Sequence, residues 1–433
     1  MKKNNIVFVK VCIICFVICF AIMFVSQFLY ESEGKEYHIS NYDIDKVVSR
    51  VVDKSETDSD VVEKYFAKGM NVKEYIDVFK RKENYVISDG KYKTINYNFD
   101  KRLHYRDIEE YLYNMNNSDI VNLEIIGKSA DNRNIYGIEI GNGKDVVFID
   151  ANIHAAEVGN TPILMRFLSE LVNKYESNDK DVVKALNNVK LAVIPCINPD
   201  GYELYNFGIE SIKDKTLWVY VNRDNLDFTN IKSNANGVDL NRNFPTQNSG
   251  LYYSGKVLSK NVSTEKTYAS SIYFNGYSMG SEPETKAAMY FMLKHFENTK
   301  YYVNMHSQGR VIYAGKPNLS NDFNNLCSSF GKKASNITGY RLHAVNDEKV
   351  GEGNDGSATD FMAELANGFR FSSKTGRLSS DKYINNSATL DFKYPVITLE
   401  TTRVWNTDPK YYKDEYYNYG IRNLLFKLIK KEL

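Results

Sequence analysis

Two of the six histidines in this 433-residue chain stand at the ends of short apolar runs. One closes Val146-Val147-Phe148-Ile149-Asp150-Ala151-Asn152-Ile153-His154, and Glu157 follows three residues later. On a strand-to-helix turn that spacing lets one imidazole nitrogen and one carboxylate converge on a single ion. Imidazole and carboxylate are zinc-type ligands, with bonds of about 2.0–2.2 Å. A catalytic zinc needs a third protein ligand and an open position for water. His306 supplies that ligand type at the end of Tyr301-Tyr302-Val303-Asn304-Met305. Ligands of open α/β sheets sit at such strand ends. A lone His-x-x-Glu is a common chance spacing, so its company decides.

That company is specific. Ile194-Pro195-Cys196-Ile197-Asn198-Pro199-Asp200-Gly201-Tyr202 ends another apolar strand in a turn. Gly237-Val238-Asp239-Leu240-Asn241-Arg242-Asn243-Phe244-Pro245 brings a planar guanidinium fork suited to a carboxylate, with an amide donor beside it. Tyr394-Pro395-Val396-Ile397-Thr398-Leu399-Glu400 ends an apolar strand in a carboxylate. Taken singly, Asn241 and Arg242 read as a polar loop and Glu400 as a surface charge.

Together these stretches resemble the zinc metallocarboxypeptidases, the family of carboxypeptidases A and B. They occur in the family's order, over residues 98 to 433. The resemblance implies a central mixed, eight-stranded sheet with helices on both faces and one zinc ion held by His154, Glu157 and His306. It makes Glu400 the general base, and Asn241 with Arg242 the clamp on the substrate's terminal carboxylate. Thr359 falls near the pocket for the terminal side chain. Met305-His306-Ser307-Gln308-Gly309 lacks the tyrosine that digestive members carry two residues after the histidine. It looks more like the bacterial branch that cleaves γ-D-glutamyl-diamino acid bonds in cell-wall stem peptides.

Three departures from the family pattern stand out. Ala156 occupies a position that is often arginine. The family's oxyanion-stabilising arginine has two candidates here, Arg223 and Lys232, of which Arg223 is slightly preferred. Gly356-Ser357-Ala358-Thr359-Asp360-Phe361 matches a family stretch that follows a mobile tyrosine, yet Tyr340 is the nearest tyrosine upstream and stands far from it. Asp355 is placed either to meet the amino group of a diamino acid or to be an ordinary solvated loop charge.

The elements that must position these groups read as follows. Tyr105 to Asn114, Thr161 to Tyr175 and Glu282 to Glu297 have helical patterns, the last opened by a Ser281-Glu282-Pro283-Glu284 capping pattern. Pro162 suits a first helical turn. Val121 to Ile126, Tyr136 to Ile140, Val146 to Ile153, Lys190 to Pro195, Tyr301 to His306 and Pro395 to Glu400 read as strands. Such alternation argues for an α/β sheet covered on both faces. Residues 246 to 280 and 366 to 390 read as long surface loops.

Upstream, Cys12 to Leu29 is apolar and follows Lys2, Lys3 and Lys10. Its length suits a bilayer, and the basic flank keeps the N-terminus cytoplasmic. Residues 1–30 are therefore expected to form an uncleaved signal anchor, with a cleaved signal peptide as the second reading and a buried soluble helix as the third. The rest of the chain would lie outside the cytoplasm. Residues 31–97 are polar and charged, and read as a stalk, a propeptide-like segment or an extension of the next domain. Helical spacing recurs at Asp43 to Asp53 and Val61 to Phe79. Of the five cysteines only Cys196 and Cys327 fall beyond the apolar run, too few for a disulfide scaffold. The 55 Lys and Arg against 54 Asp and Glu leave a net charge of +1, with no footprint for nucleic acid. Ordinary globular composition excludes a wholly disordered chain. The leading expectation is an outward-facing, membrane-anchored zinc peptidase acting on stem peptides. A general carboxypeptidase, a zinc deacylase or amidase, and a non-catalytic binding module are the alternatives.

Overall fold

The computed structural model of the chain describes residues 66–215, 218, 221, 230–249, 270–276, 278–317, 319–345, 356–380 and 394–433. The elements in chain order are α1 (Val72–Phe79), α2 (Tyr105–Met115), β1 (Val121–Lys128), β2 (Asn134–Ile140), β3 (Asp145–Ala151), α3 (Asn160–Glu176) and α4 (Lys180–Asn188). Next come β4 (Val189–Ile194), α5 (Pro199–Phe207), α6 (Pro283–His295), β5 (Thr299–Ser307), β6 (Val311–Ala314), α7 (Asn321–Thr338), β7 (Arg341–Ala344) and α8 (Ala358–Ala366). The chain ends with β8 (Arg370–Phe371), β9 (Leu378–Ser379), β10 (Val396–Thr401), α9 (Pro409–Asn418) and α10 (Ile421–Ile429).

Eight strands form one mixed sheet in the order β1-β2-β4-β3-β5-β10-β6-β7. Its centre, β4-β3-β5-β10, is parallel. Every residue from Val146 to Ala151 of β3 is buried, which requires cover on both faces of the sheet. Phe148 packs against Phe291 and His295 of α6 on one face. Helix α3, also in contact with β3, buries Ile163, Leu164, Phe167, Leu168 and Leu171.

The central strands also create a crevice. From β3 the chain crosses by α3 and α4 to β4 on one side, whereas β5 lies on the other side of β3. The carboxyl ends of β3 and β5 therefore flank a topological switch point, the usual ligand crevice of such sheets.

Several local expectations change. Ser281 does not cap α6: its hydroxyl donates to Glu282 Oε1 at 2.8 Å, and the helix opens with Pro283 in its first turn. A proline there needs no amide partner, so the cap is dispensable. The helical pattern over 61–79 is broken at Gly69, which has φ +92°, and restarts at α1 under a capping box between Asn71 and Glu74. Residues 61–65 lie outside the described residues, as does Asp43 to Asp53. Within 366–390, Arg370–Phe371 and Leu378–Ser379 pair as a small antiparallel ribbon.

The part of the 31–97 segment that is described packs on the sheet domain. Phe66 stacks on Phe371 at 3.5 Å between ring centroids, and the Tyr75 hydroxyl donates to Lys286 O at 3.2 Å. Cys196 and Cys327 are both buried, unpaired thiols. The apolar run Cys12 to Leu29 lies outside the described residues, and no described helix is long and apolar enough to cross a membrane.

Candidate metal centre and substrate cleft

His154 lies just past β3, and Glu157 lies in the turn that leads into α3. The exit from β3 is braced by Asn198, which stands past β4. The Asn198 amide N–H donates to Asn152 O at 3.0 Å, and its side-chain NH2 reaches Ile153 O at 3.3 Å and Ser233 O at 3.1 Å. Its Oδ1 accepts from Gly201 N at 2.9 Å and so caps α5. A Cβ on Gly201 would come within 2.6 Å of the Ala155 methyl, so only glycine lets α5 pack this close to the His154 turn. Asp200 faces away, bonded to Ser129 at 2.8 Å and Arg133 at 2.7 Å. The Asn-Pro-Asp-Gly stretch is thus a scaffold for the centre.

His306, the next-to-last residue of β5, completes a triad. One ligand atom from each of His154, Glu157 and His306 lies within 4.8 Å of the other two, and all three side chains are buried. Glu157 Oε1 is 2.7 Å from His154 Nδ1, and Oε2 is 2.9 Å from His306 Nδ1. The Ser307 amide donates to the same Oε2 at 3.1 Å. Behind the triad, Asp239 Oδ1 sits 3.3 Å from His154 Nε2.

The electrostatics suit a cation. Burial alone would protonate Glu157, but the two histidines outweigh it and hold the carboxyl well below the usual range. Asp239 is likewise held down, against burial, by Arg242 and His154. Burial works against a charged His154, yet the carboxylates of Glu157 and Asp239 raise its pKa. Two imidazoles and one ionised carboxylate around a single point form the donor set of a catalytic zinc site.

Glu400 stands beside this triad. Its strand β10 pairs in parallel with β5, with Glu400 opposite His306. The side chain borders the cleft, yet its Oε2 has no hydrogen-bond partner among the described residues. Burial pushes the carboxyl up to about 7, His306 works against that shift, and Glu157 adds to it. A carboxyl poised there can exchange protons near neutral pH.

The cleft has a volume of about 330 Å³ and joins the triad to Lys232, Asn241, Arg242, Thr359 and Glu400. Asn241 Oδ1 accepts from Ala358 N at 3.0 Å, which leaves the NH2 as the amide's donor. Arg242 pairs with Asp239 and lies 4.8 Å from the Tyr273 ring centroid. Gly356 has φ +92°, and a Cβ there would stand 2.6 Å from Arg242 O, so the loop can cross Arg242 only as glycine. Thr359 Oγ1 contacts Thr398 Oγ1 of β10 at 2.8 Å.

Of the two candidates for the oxyanion role, Lys232 borders the cleft and Arg223 lies outside the described residues. Ile231 O accepts from Ala156 N at 2.8 Å, which ties the segment before Lys232 to the His-x-x-Glu turn. The Lys232 ammonium lies 5.9 Å from the centroid of the Trp405 ring, another cleft residue. Tyr340 is buried elsewhere, with its hydroxyl bonded to Glu415. Asp355 lies outside the described residues. Sequence reasoning missed Trp405, Tyr313 and Lys316 at the cleft. Lys316 had one faint signal, a Gly-Lys step directly after the apolar run Val311–Ala314.

Comparison with known proteins adds an independent finding. Residues 108–393 match the family described as zinc carboxypeptidase. Carboxypeptidase O of Bos taurus is 27% identical over 267 residues, 59% of this chain and 64% of that protein. Gamma-D-glutamyl-L-diamino acid endopeptidase 1 of Lysinibacillus sphaericus is 32% identical over 228 residues, 49% of this chain and 54% of that protein. The chain thus spans between about half and two thirds of the length of these relatives. Its fold is similar to that of carboxypeptidase A from Helicoverpa armigera, with a TM-score of 0.53 and 19% identity, covering 79% of this chain and 76% of the other. Thrombin activatable fibrinolysis inhibitor gives a TM-score of 0.54 at 17% identity, covering 78% and 76%.

Proposed function

Since the chain belongs to the zinc carboxypeptidase family, we propose that it hydrolyses the peptide bond next to a C-terminal carboxylate, and that its natural substrates are cell-wall stem peptides cut between γ-D-glutamate and a diamino acid. The observation that carries the hydrolytic reading is the convergence of His154, Glu157 and His306 with Glu400, Asn241 and Arg242 on one cleft. The γ-D-glutamyl-L-diamino acid endopeptidase relative and Gln308 support the narrower substrate.

The triad would hold one zinc ion, which when bound supplies the Lewis acidity that polarises a carbonyl and acidifies water. The protein's own groups do the rest. Arg242 and the Asn241 NH2 receive the terminal carboxylate and fix the scissile bond over the triad. Glu400 takes the proton of the attacking water and returns it to the leaving amine. Lys232 brings positive charge to the carbonyl oxygen as negative charge develops there. We place this cleft outside the cytoplasm, tethered through residues 1–30. A reporter fused after residue 30 and active only in the cytoplasm would contradict that placement.

The substrate test is cleavage by the zinc-loaded chain, with and without a chelator, read by mass spectrometry. A γ-D-glutamyl-diaminopimelate peptide is offered beside ordinary peptides with apolar or basic C-termini. Chelator-sensitive cleavage of the stem peptide is expected. Cleavage of ordinary peptides alone would make the protein a general carboxypeptidase, as the likeness to carboxypeptidase O allows.

A further inference from the structure

The cleft continues well beyond the groups used above. Glu400, Thr398 and Val396 of β10 all border it, as alternate residues on one face of a strand must. At the rise of a strand, Val396 lies about 13 Å further in than Glu400. Strand β6 runs antiparallel to β10 with Tyr313 opposite Thr398 and Ala314 opposite Ile397. The residues that follow, Gly315 and Lys316, therefore reach the depth of Val396, and both border the cleft.

This deep end is charged. Lys316 is only 6% exposed, and its Nζ lies 3.0 Å from Asp360 Oδ2 and 3.8 Å from Glu364 Oε1 on α8. The loop that carries it is clamped: Asn324 Oδ1 accepts from Lys316 N at 2.8 Å, and Asn324 Nδ2 donates to Lys316 O at 2.9 Å. Buried ion pairs are poor stabilisers, because desolvation offsets their attraction, and an apolar floor would be cheaper. Here Lys316 and Asp360 both line the cleft, where a ligand can reach them. A floor showing both signs of charge meets a like charge when either a plain ammonium or a plain carboxylate enters. A side chain carrying both groups on one carbon can set its ammonium on Asp360 and its carboxylate on Lys316.

We infer that Lys316 and Asp360 are specificity residues that select a C-terminal side chain ending in both an ammonium and a carboxylate, as in diaminopimelate, over one ending in an ammonium alone, as in lysine. This rests on the stem-peptide reading above and names which diamino acid the cleft takes. The terminal main-chain carboxylate is held by Asn241 and Arg242, and the side chain runs past Thr359 and Thr398 to the charged floor.

The test measures kcat/KM of the full, zinc-loaded chain on peptides that differ only in the last residue: γ-D-glutamyl-meso-diaminopimelate, γ-D-glutamyl-L-lysine and an ordinary phenylalanine-ended peptide. Wild type should favour diaminopimelate over lysine by about 10- to 100-fold, the worth of one charged hydrogen bond. Lys316→Met should bring that ratio towards one, and Lys316→Arg should keep it well above one. Equal rates on the two diamino acids, or a ratio that survives Lys316→Met, would overturn the inference and leave the stem-peptide reading standing. Cleavage of the phenylalanine peptide alone, or of none, would overturn both. If Lys316→Met does not fold, the wild-type ratio and Lys316→Arg still decide.

Discussion

Glu400 and His306 are direct register partners on the adjacent parallel strands β10 and β5. The sheet itself therefore fixes the distance between the proposed base and one proposed metal ligand. A slip of one residue would turn Glu400 to the opposite face, and the buried strands around it oppose that slip. Sites built on strands keep their geometry better than sites built on loops.

Metal affinity should depend on the groups behind the ligands as well as on the ligands. His154→Ala is expected to abolish stoichiometric zinc binding. Asp239→Asn, which alters the carboxylate 3.3 Å from His154 Nε2, should weaken zinc affinity by about 10- to 100-fold. Competition with a metal-indicator dye reads both. Full occupancy in His154→Ala would remove it as a ligand.

The carboxylate clamp predicts a coupling. Amidating the substrate's C-terminus should cost wild type about 100-fold in kcat/KM, in the range of a broken charged pair. Arg242→Met should cost a similar factor with zinc content preserved. Amidation should then add little to the Arg242→Met loss, because both changes remove one interaction. Fully additive losses would separate Arg242 from the terminal carboxylate.

Lys232 should matter to turnover more than to binding. Lys232→Met is expected to lower kcat by about 10²- to 10³-fold, the loss typical of a removed oxyanion partner. KM should move much less. Arg223→Met, made in parallel, tests the other candidate. An unchanged kcat in Lys232→Met would remove it from the reaction.

Stability should fall with rising pH because of Glu284. Burial, with Asp200 and Glu282 adding to it, pushes this carboxyl up to about 8. A carboxyl raised in the folded state favours folding while it is protonated. Its contribution is complete below the unfolded value of about 4.3 and is lost as pH climbs through about 8. Within that window the folded state holds the proton that the unfolded chain releases, so stability falls as pH rises. Glu284→Gln should flatten the urea-unfolding free energy across pH 5 to 8 relative to wild type. Parallel curves for the two proteins would contradict this.

Much of the fold was legible because its central strands are continuous apolar runs, as strands buried on both faces must be. Val146 to Ile153 and Tyr301 to His306 each mark a strand and the residue at its tip. The triad was legible for the same reason, since each histidine closes such a run. Strand β6 and strand β7, four residues each, carry too little pattern to stand out. Lys316 depends on the depth of β6 beside β10, a relationship between distant segments that spacing along the chain does not encode. Spacing along the chain does not separate Lys232 from Arg223; Lys232 is placed by its position on the cleft and by the Ala156–Ile231 hydrogen bond beside it.

The most direct test is the zinc content and turnover of Glu400→Gln, measured on one preparation with the stem peptide as substrate. The amide keeps the shape of the side chain and removes the proton acceptor. About one zinc per chain with turnover reduced by at least about 10²-fold is the expected result, the lower end of what general acid–base catalysis contributes. Wild-type turnover with zinc in place would show that Glu400 is not the base, and with it the assignment of this cleft would fall.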